Sequence, residues 1–238
     1  MRKLITSLGV LIVAISLVAC SKSNDNIQAS VENNQITTED NQEGNEASNS
    51  NIKASDDNIL IAYFSQPETE NVDVLASASI VVDGNEQLGN TEYIAKLIEK
   101  STKGDLFEIK TKKSYPGDGE TLINYAADEK DSNARPELSS SVKNMDQYDI
   151  VFIGYPNWWA DMPMPVYTFL EEYKLDGKII VPFTTHGGSG LSNTVDTIAS
   201  IQSNATIISN ALSISRNSVE DYSQKEVEDY LKEIGVLE

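Results

Sequence analysis

The 238-residue chain has one cysteine, one histidine, and only 18 basic side chains against 37 acidic ones. A single cysteine excludes an intrachain disulfide framework and any cysteine-rich metal cluster. A single histidine excludes paired-histidine zinc motifs and every multi-histidine centre. A net charge of −19 argues against nucleic acid as a partner, because a phosphate backbone is bound by clustered Lys and Arg. Aromatic residues are missing from residues 21–58, and all 17 lie between Tyr63 and Tyr230. That stretch is rich in Asn, Ser, Gln, Asp and Glu and buries too little apolar surface to offset its ordering entropy, so it is expected to be disordered. No internal repeat is present. With 39% hydrophobic residues overall, the remainder can bury the core of one domain.

The N-terminus carries an address. Arg2 and Lys3 precede an apolar run from Leu4 to Ala19, which has the length of a signal-peptide core and is short for a membrane span. It ends Leu17-Val18-Ala19-Cys20, which resembles the lipobox of bacterial lipoproteins. That resemblance implies diacylglyceryl transfer to the Cys20 sulfur and cleavage just before it. Two or more acyl chains suffice for stable anchoring. The expected organisation is a signal peptide over 1–19, a polar tether over 20–57 and a folded domain over 58–238. As a flexible coil the tether would span roughly 35 Å, enough to hold the domain clear of a bilayer.

From Asp57 onward, short apolar runs alternate with amphipathic stretches. Ile59–Phe64, Ile150–Ile153 and Ile179–Phe183 read as strands buried on both faces, and Leu106–Ile109 as a shorter one. Thr206–Ile208 is a weaker fifth strand. Pro182 cannot donate to a ladder, so its amide position is expected at a bulge or an unpaired site. Asn90 is expected to cap a helix carrying Ile94, Leu97 and Ile98 on one face. Ser223 and Glu226 form a capping-box pattern for a last helix, stopped at Gly235. Strands alternating with helices predict a parallel α/β sheet with helices on both faces, and ligands beyond the carboxyl ends of its strands. The loops of interest therefore follow Phe64, Gly154 and Thr184.

In the first loop, the hydroxyls of Ser65 and Thr91, with the amides of a helix N-terminus, suit a phosphate monoester. Tyr63-Phe64-Ser65, Gln66 and then Gly89-Asn90-Thr91 resemble the phosphate loop of the flavodoxin family, with residues 67–88 standing where the family has one. The same residues also suit a plain turn and a capped helix. In the second loop, Gly154-Tyr155-Pro156-Asn157-Trp158-Trp159 closely resembles the family's flavin loop. Adjacent indoles offer a stacking surface, and prolines stiffen the loop and lower the entropy lost on binding. An aromatic lid on the sheet edge is the alternative. In the third, Thr184-Thr185-His186-Gly187-Gly188-Ser189-Gly190 resembles the family's second flavin loop, where glycines let the backbone approach a ligand. His186 beside a flavin ring would raise its potential through its charge; a lone loop histidine is more often simply solvated. The resemblance covers about residues 58–238 and implies a flavodoxin-like doubly wound sheet of five parallel strands in the order 2-1-3-4-5. It also implies FMN as cofactor.

Two other readings of the glycine loop fail on spacing. Gly187-Gly188-Ser189-Gly190-Leu191 lacks the last glycine of a nucleophile elbow, and Gly188–Asn193 ends wrongly for a dinucleotide fingerprint. Asn133-Ala134-Arg135-Pro136-Glu137-Leu138 resembles a pattern of the flavodoxin-like subfamily with an inserted first loop. Arg135 is open to two roles there, a contact to substrate or phosphate, or a salt bridge from loop to helix.

The function implied is a lipid-anchored, extracytoplasmic FMN protein, an electron carrier or oxidoreductase, with no catalytic side chain and no metal. Reduction would come from a partner protein or NAD(P)H, and the acceptor would be a protein or a small molecule such as a quinone. The domain's 29 acidic against 14 basic residues would disfavour an anionic reduced flavin and would suit a basic redox partner. The alternative is a flavin-free binding or scaffold lipoprotein, favoured if the insertion displaces the phosphate loop.

Overall fold

The computed structural model describes residues 58–67 and 80–238. The expected leader, Cys20 and the tether lie outside the described residues, as do positions 68–79 of the insertion. The elements run β1 (Ile59–Tyr63), β2 (Ile80–Asp83), β3 (Glu86–Gly89), α1 (Asn90–Thr102), β4 (Asp105–Glu108), α2 (Gly119–Asp131), β5 (Ile150–Pro156) and α3 (Met164–Glu172). They continue with β6 (Ile179–His186), α4 (Thr194–Ile201), β7 (Thr206–Ile207), β8 (Leu212–Ser215) and α5 (Gln224–Glu233).

The main sheet is parallel throughout, in the order β4-β1-β5-β6, with β7 and β8 both on the outer edge of β6. This is the expected 2-1-3-4-5 order, with the fifth position shared by two short strands. The expected Thr206–Ile208 strand is only β7; the longer partner, β8, has the sequence Leu-Ser-Ile-Ser, whose serines hid it. The split explains Pro182. Thr206 N and Ile208 N donate to Lys178 O and Ile180 O, so even-numbered residues of β6 face this outer edge. β7 pairs Ile179–Ile180 and β8 pairs Phe183–His186, leaving Pro182 opposite neither. The missing N–H falls where no ladder bond is made.

Strand residues alternate between two cores. Ile61, Phe152, Val181 and Phe183 pack with α1 and α5, through Ile94, Ile98, Val227 and Leu231. Leu60, Val151, Ile153 and Ile180 pack with α3 and α4, through Val166, Phe169 and Ile198. Each such buried aliphatic or Phe side chain contributes roughly 1.5–3 kcal/mol of transfer free energy. Gly154 sits mid-strand because of this packing: a Cβ there would stand 2.1 Å from Phe183 Cζ.

α1 differs from expectation at its start. Its N-cap is Gly89, and Asn90 is the first helical residue, 7% exposed, so Asn90 is not the cap. The cause is the described part of the insertion. β2 and β3 form an antiparallel hairpin whose register runs to Ile80↔Gly89, carrying extended backbone straight to the helix. At the other end of the chain, the Ser223–Glu226 capping box is formed, with both reciprocal bonds made, and Gly235 takes φ +80° just past α5.

Candidate functional site

A cavity of about 230 Å³ opens beyond the carboxyl ends of β1, β5 and β6. From the first loop it is lined by Ser65, Gln66, Asn90 and Thr91; from the second by Pro156, Asn157, Trp158 and Trp159; from the third by Thr185, His186 and Gly187. Three crossings of the chain, separated by up to about 120 residues, therefore meet at one place, as the topology of an open α/β sheet requires.

The insertion does not separate the two halves of the first loop. A Cβ on Gly89 would lie 2.1 Å from Ser65 Oγ, so Ser65 and the start of α1 are in direct contact across residues 67–88. Gly89 itself is extended, φ −67° and ψ 151°, so it is space rather than backbone freedom that calls for glycine. Gly89 does not line the cavity but sets how close its neighbours approach. On the far side, the buried Thr91 and Thr185 hydroxyls lie 2.9 Å apart and join the first loop to the third. Hydroxyls and first-turn amides of α1 thus gather at one end of the cavity, an arrangement that favours an anion.

The indole loop is a tight turn. Trp158 and Asp161 exchange backbone bonds of 2.9 and 3.0 Å, and between them Trp159 and Ala160 take φ of +55° and +58°. A bulky residue in left-handed conformation costs about 1–2 kcal/mol, so the turn needs fastening. Asp161 supplies it: its Oδ1 accepts from Met162 N at 2.8 Å and from Tyr167 Oη at 2.7 Å. Helix α2 supplies the rest, with Ile123 O accepting from Trp159 Nε1 at 3.0 Å and Lys130 Nζ donating to Trp159 O. Trp158 is half-buried, edge-on to Phe64 at 5.4 Å and to Tyr115 at 5.9 Å; Trp159 stays 53% exposed at the rim.

Loops two and three are laced together. Asn157 N donates to Thr185 O, and Asn157 Nδ2 donates to Gly190 O at 2.8 Å and Ser192 Oγ at 2.9 Å. Its Oδ1 is buried with no hydrogen-bond donor, a group left for a ligand to satisfy. Gly188, Ser189 and Gly190 do not line the cavity; they form the turn into α4 that Asn157 holds. His186 does line it, but burial pushes its imidazole below the usual histidine range, and Gly188 N donates to Nδ1 at 3.1 Å. Burial thus disfavours the charged form of the ring.

A model of the flavodoxin family matches residues 79–230. The chain belongs to the flavodoxin family. Among solved structures, it is 26% identical to a candidate flavoprotein from Bacteroides eggerthii, over 76% of this chain and 99% of that one, with a TM-score of 0.59. It is also 26% identical to one from Bacteroides uniformis, over 74% and 98%, with a TM-score of 0.55. A flavoprotein from Lactobacillus acidophilus, in complex with FMN, is 20% identical over 69% and 97%, with a TM-score of 0.48. No curated protein sequence matches.

This flavodoxin-family chain has site residues that its sequence did not advertise. Gly119, Leu122, Ile123 and Ala126 bring an apolar face of α2 to the cavity, and Arg216 lines it beside Gly187. The α2 face was legible in principle. Asp118 accepts from Thr121 N at 3.0 Å as an N-cap, and the four lining positions follow helical spacing. Arg216 was not, since it follows the unrecognised β8. Arg135 settles between its two roles: its Nε and Nη2 hold both carboxylate oxygens of Glu171 on α3 at 2.7 Å, above the ring of Tyr167. It lies outside this cavity and ties loop to helix. Among the described residues, no group of three or more His, Cys, Asp or Glu could hold a metal ion, and no helix is long and apolar enough to cross a membrane.

Proposed function

We propose that this flavodoxin-family protein binds FMN in the cavity and works as an electron-transfer protein or oxidoreductase, held at the outer face of a membrane by lipid on Cys20. One observation carries the cofactor: one cavity, at the strand ends, is lined by hydroxyls and the start of a helix together with two indoles and an apolar helix face. A phosphorylated, flat aromatic ligand needs both. Bound FMN would supply a ring able to take up and release electrons.

The chain's own residues do the rest. Ser65, Thr91 and the first amides of α1 would hold the phosphate, and Trp158 and Trp159 would flank the ring and exclude water from it. Asn157 Oδ1 would accept a hydrogen bond from a polar ring edge. No residue lining the cavity needs to act as acid or base. The redox partner is a protein or a small acceptor such as a quinone, reduced at the exposed Trp159 rim. The lipid anchor rests on the lipobox resemblance, and the scaffold alternative gains no support from a cavity that the described part of the insertion leaves open.

Titrating the purified soluble domain with FMN tests the cofactor. Bound-flavin absorbance should appear at micromolar concentration, and Trp158→Ala should weaken binding and change flavin fluorescence. Failure of the wild-type domain to bind would remove the redox reading. Radiolabelled palmitate incorporation lost in Cys20→Ser tests the anchor; no incorporation in the wild type would overturn it.

A further inference from the structure

Helix α2 is apolar on one side, yet that side reaches neither core. Among the described residues, α1, α3, α4 and α5 each place side chains in a core, such as Ile94, Phe169, Ile198 and Leu231, whereas no residue of α2 joins either one. The buried residues of α2 are Gly119, Leu122 and Ala126, and all three line the cavity, with the exposed Ile123 beside them. What α2 buries, it buries against the cavity. Tertiary packing supplies most of a helix's stability, and for α2 that packing is completed by what fills the cavity.

The helix is held along one flank and latched at the rim. On the flank, Tyr115 Oη donates to Glu129 Oε2 at 2.5 Å, and the Tyr115 ring meets Tyr125 at 5.3 Å and Phe64 at 5.5 Å, so Tyr115 ties α2 to the end of β1. At the rim, Trp159 Nε1 donates to Ile123 O at 3.0 Å, and Lys130 Nζ donates to Trp159 O and lies 3.7 Å from Asp161 Oδ2. These rim groups are exposed or nearly so, and water competes for their bonds, so the latch is the weaker of the two attachments. The chain enters α2 through Gly117-Asp118-Gly119, where glycines absorb a change of backbone angle at small cost.

We infer that α2 is the gate of the cavity. It pivots about Tyr115, opens when the Trp159 and Lys130 contacts break, and closes on a ligand whose flat apolar surface completes the packing of Leu122, Ile123 and Ala126. A ligand that touches α2 when it is closed and not when it is open shifts the balance by that difference in affinity. Opening then sets the pace of ligand entry and release. Only the choice of FMN as the closing ligand rests on the flavin reading above.

Amide hydrogen exchange, followed by mass spectrometry on the protein without flavin and with saturating FMN, tests the gate. Without flavin, the amides of α2 should exchange about tenfold or more faster than those of α1 and α5, which are fixed in a core. FMN should slow α2 by about tenfold or more. Lys130 does not line the cavity, and Lys130→Ala should speed α2 exchange about fivefold in the flavin-free protein and quicken FMN release by a similar factor, with α1 and α5 unchanged. Alanine is the better helix former, so faster exchange there reports the lost latch and not a weaker helix. Exchange of α2 as slow as that of α1 and α5 without flavin would overturn the inference. So would unchanged α2 exchange in K130A, or FMN binding that protects the three loops and leaves α2 as it was. If FMN does not bind, the flavin reading falls, and the flavin-free rates of wild type and K130A still decide the gate.

Discussion

Gly89→Ala isolates the contact that rejoins the split first loop. At φ −67° and ψ 151° alanine is as comfortable as glycine, so the cost is steric only. The new Cβ would lie 2.1 Å from Ser65 Oγ but 3.4 Å from Ser65 Cβ and Pro67 Cδ, so rotation of one small side chain relieves the clash. Such a displaced rotamer costs about 0.5–1.5 kcal/mol, a fall in melting temperature of a few degrees for a domain of this size. The ligand loses more. With Ser65 Oγ turned away, a hydroxyl bond to a charged phosphate, worth about 1.5–3 kcal/mol, is gone, and FMN affinity should drop roughly 10- to 150-fold. Ser65→Ala should reproduce the binding loss with less effect on melting. The assay is a fluorescence titration beside a thermal melt of the ligand-free protein. Wild-type FMN affinity in G89A would refute the reasoning, because Ser65 Oγ could not then be a ligand contact.

Trp159→Gly removes an exposed indole and relieves a left-handed non-glycine residue, worth about 1–2 kcal/mol, at the loss of one hydrogen bond to Ile123 O; the ligand-free melt should change little while bound-flavin fluorescence rises. A melt lowered by many degrees would show that the indole is structural. His186, the chain's only histidine, should titrate by NMR with a midpoint below about 6.5, since burial disfavours its charged form. At pH values below about 6.5 the unfolded chain binds more protons at this residue than the folded one. Its contribution to stability is thus full above that pH and declines as pH falls toward the folded value, and His186→Gln should abolish that part of the acid sensitivity. Arg135→Ala breaks a bidentate but partly exposed ion pair with Glu171 and should cost about 1 kcal/mol in a denaturant titration, leaving FMN affinity unchanged. A matching loss of affinity would return Arg135 to the binding site.

Local pattern was enough for the parts of this protein in which neighbours in sequence are neighbours in space. Ile59–Phe64, Ile150–Ile153 and Ile179–Phe183 are apolar without a break because both faces of their strands are covered, and Ser223 with Glu226 closes its own capping box. The same holds for the candidate loops, since a parallel sheet puts every strand-to-helix turn at one end, and Ser65, Trp158 and Thr185 had to converge once the strands were known. What chain order could not convey were contacts made across it. β8 alternates with serine because only one of its faces is covered, with Leu212 and Ile214 in the core, so Arg216 was out of sight behind it. The closeness of Gly89 to Ser65 across residues 67–88, the burial that disfavours a charged His186, and the apolar wall from α2 each depend on packing between distant segments.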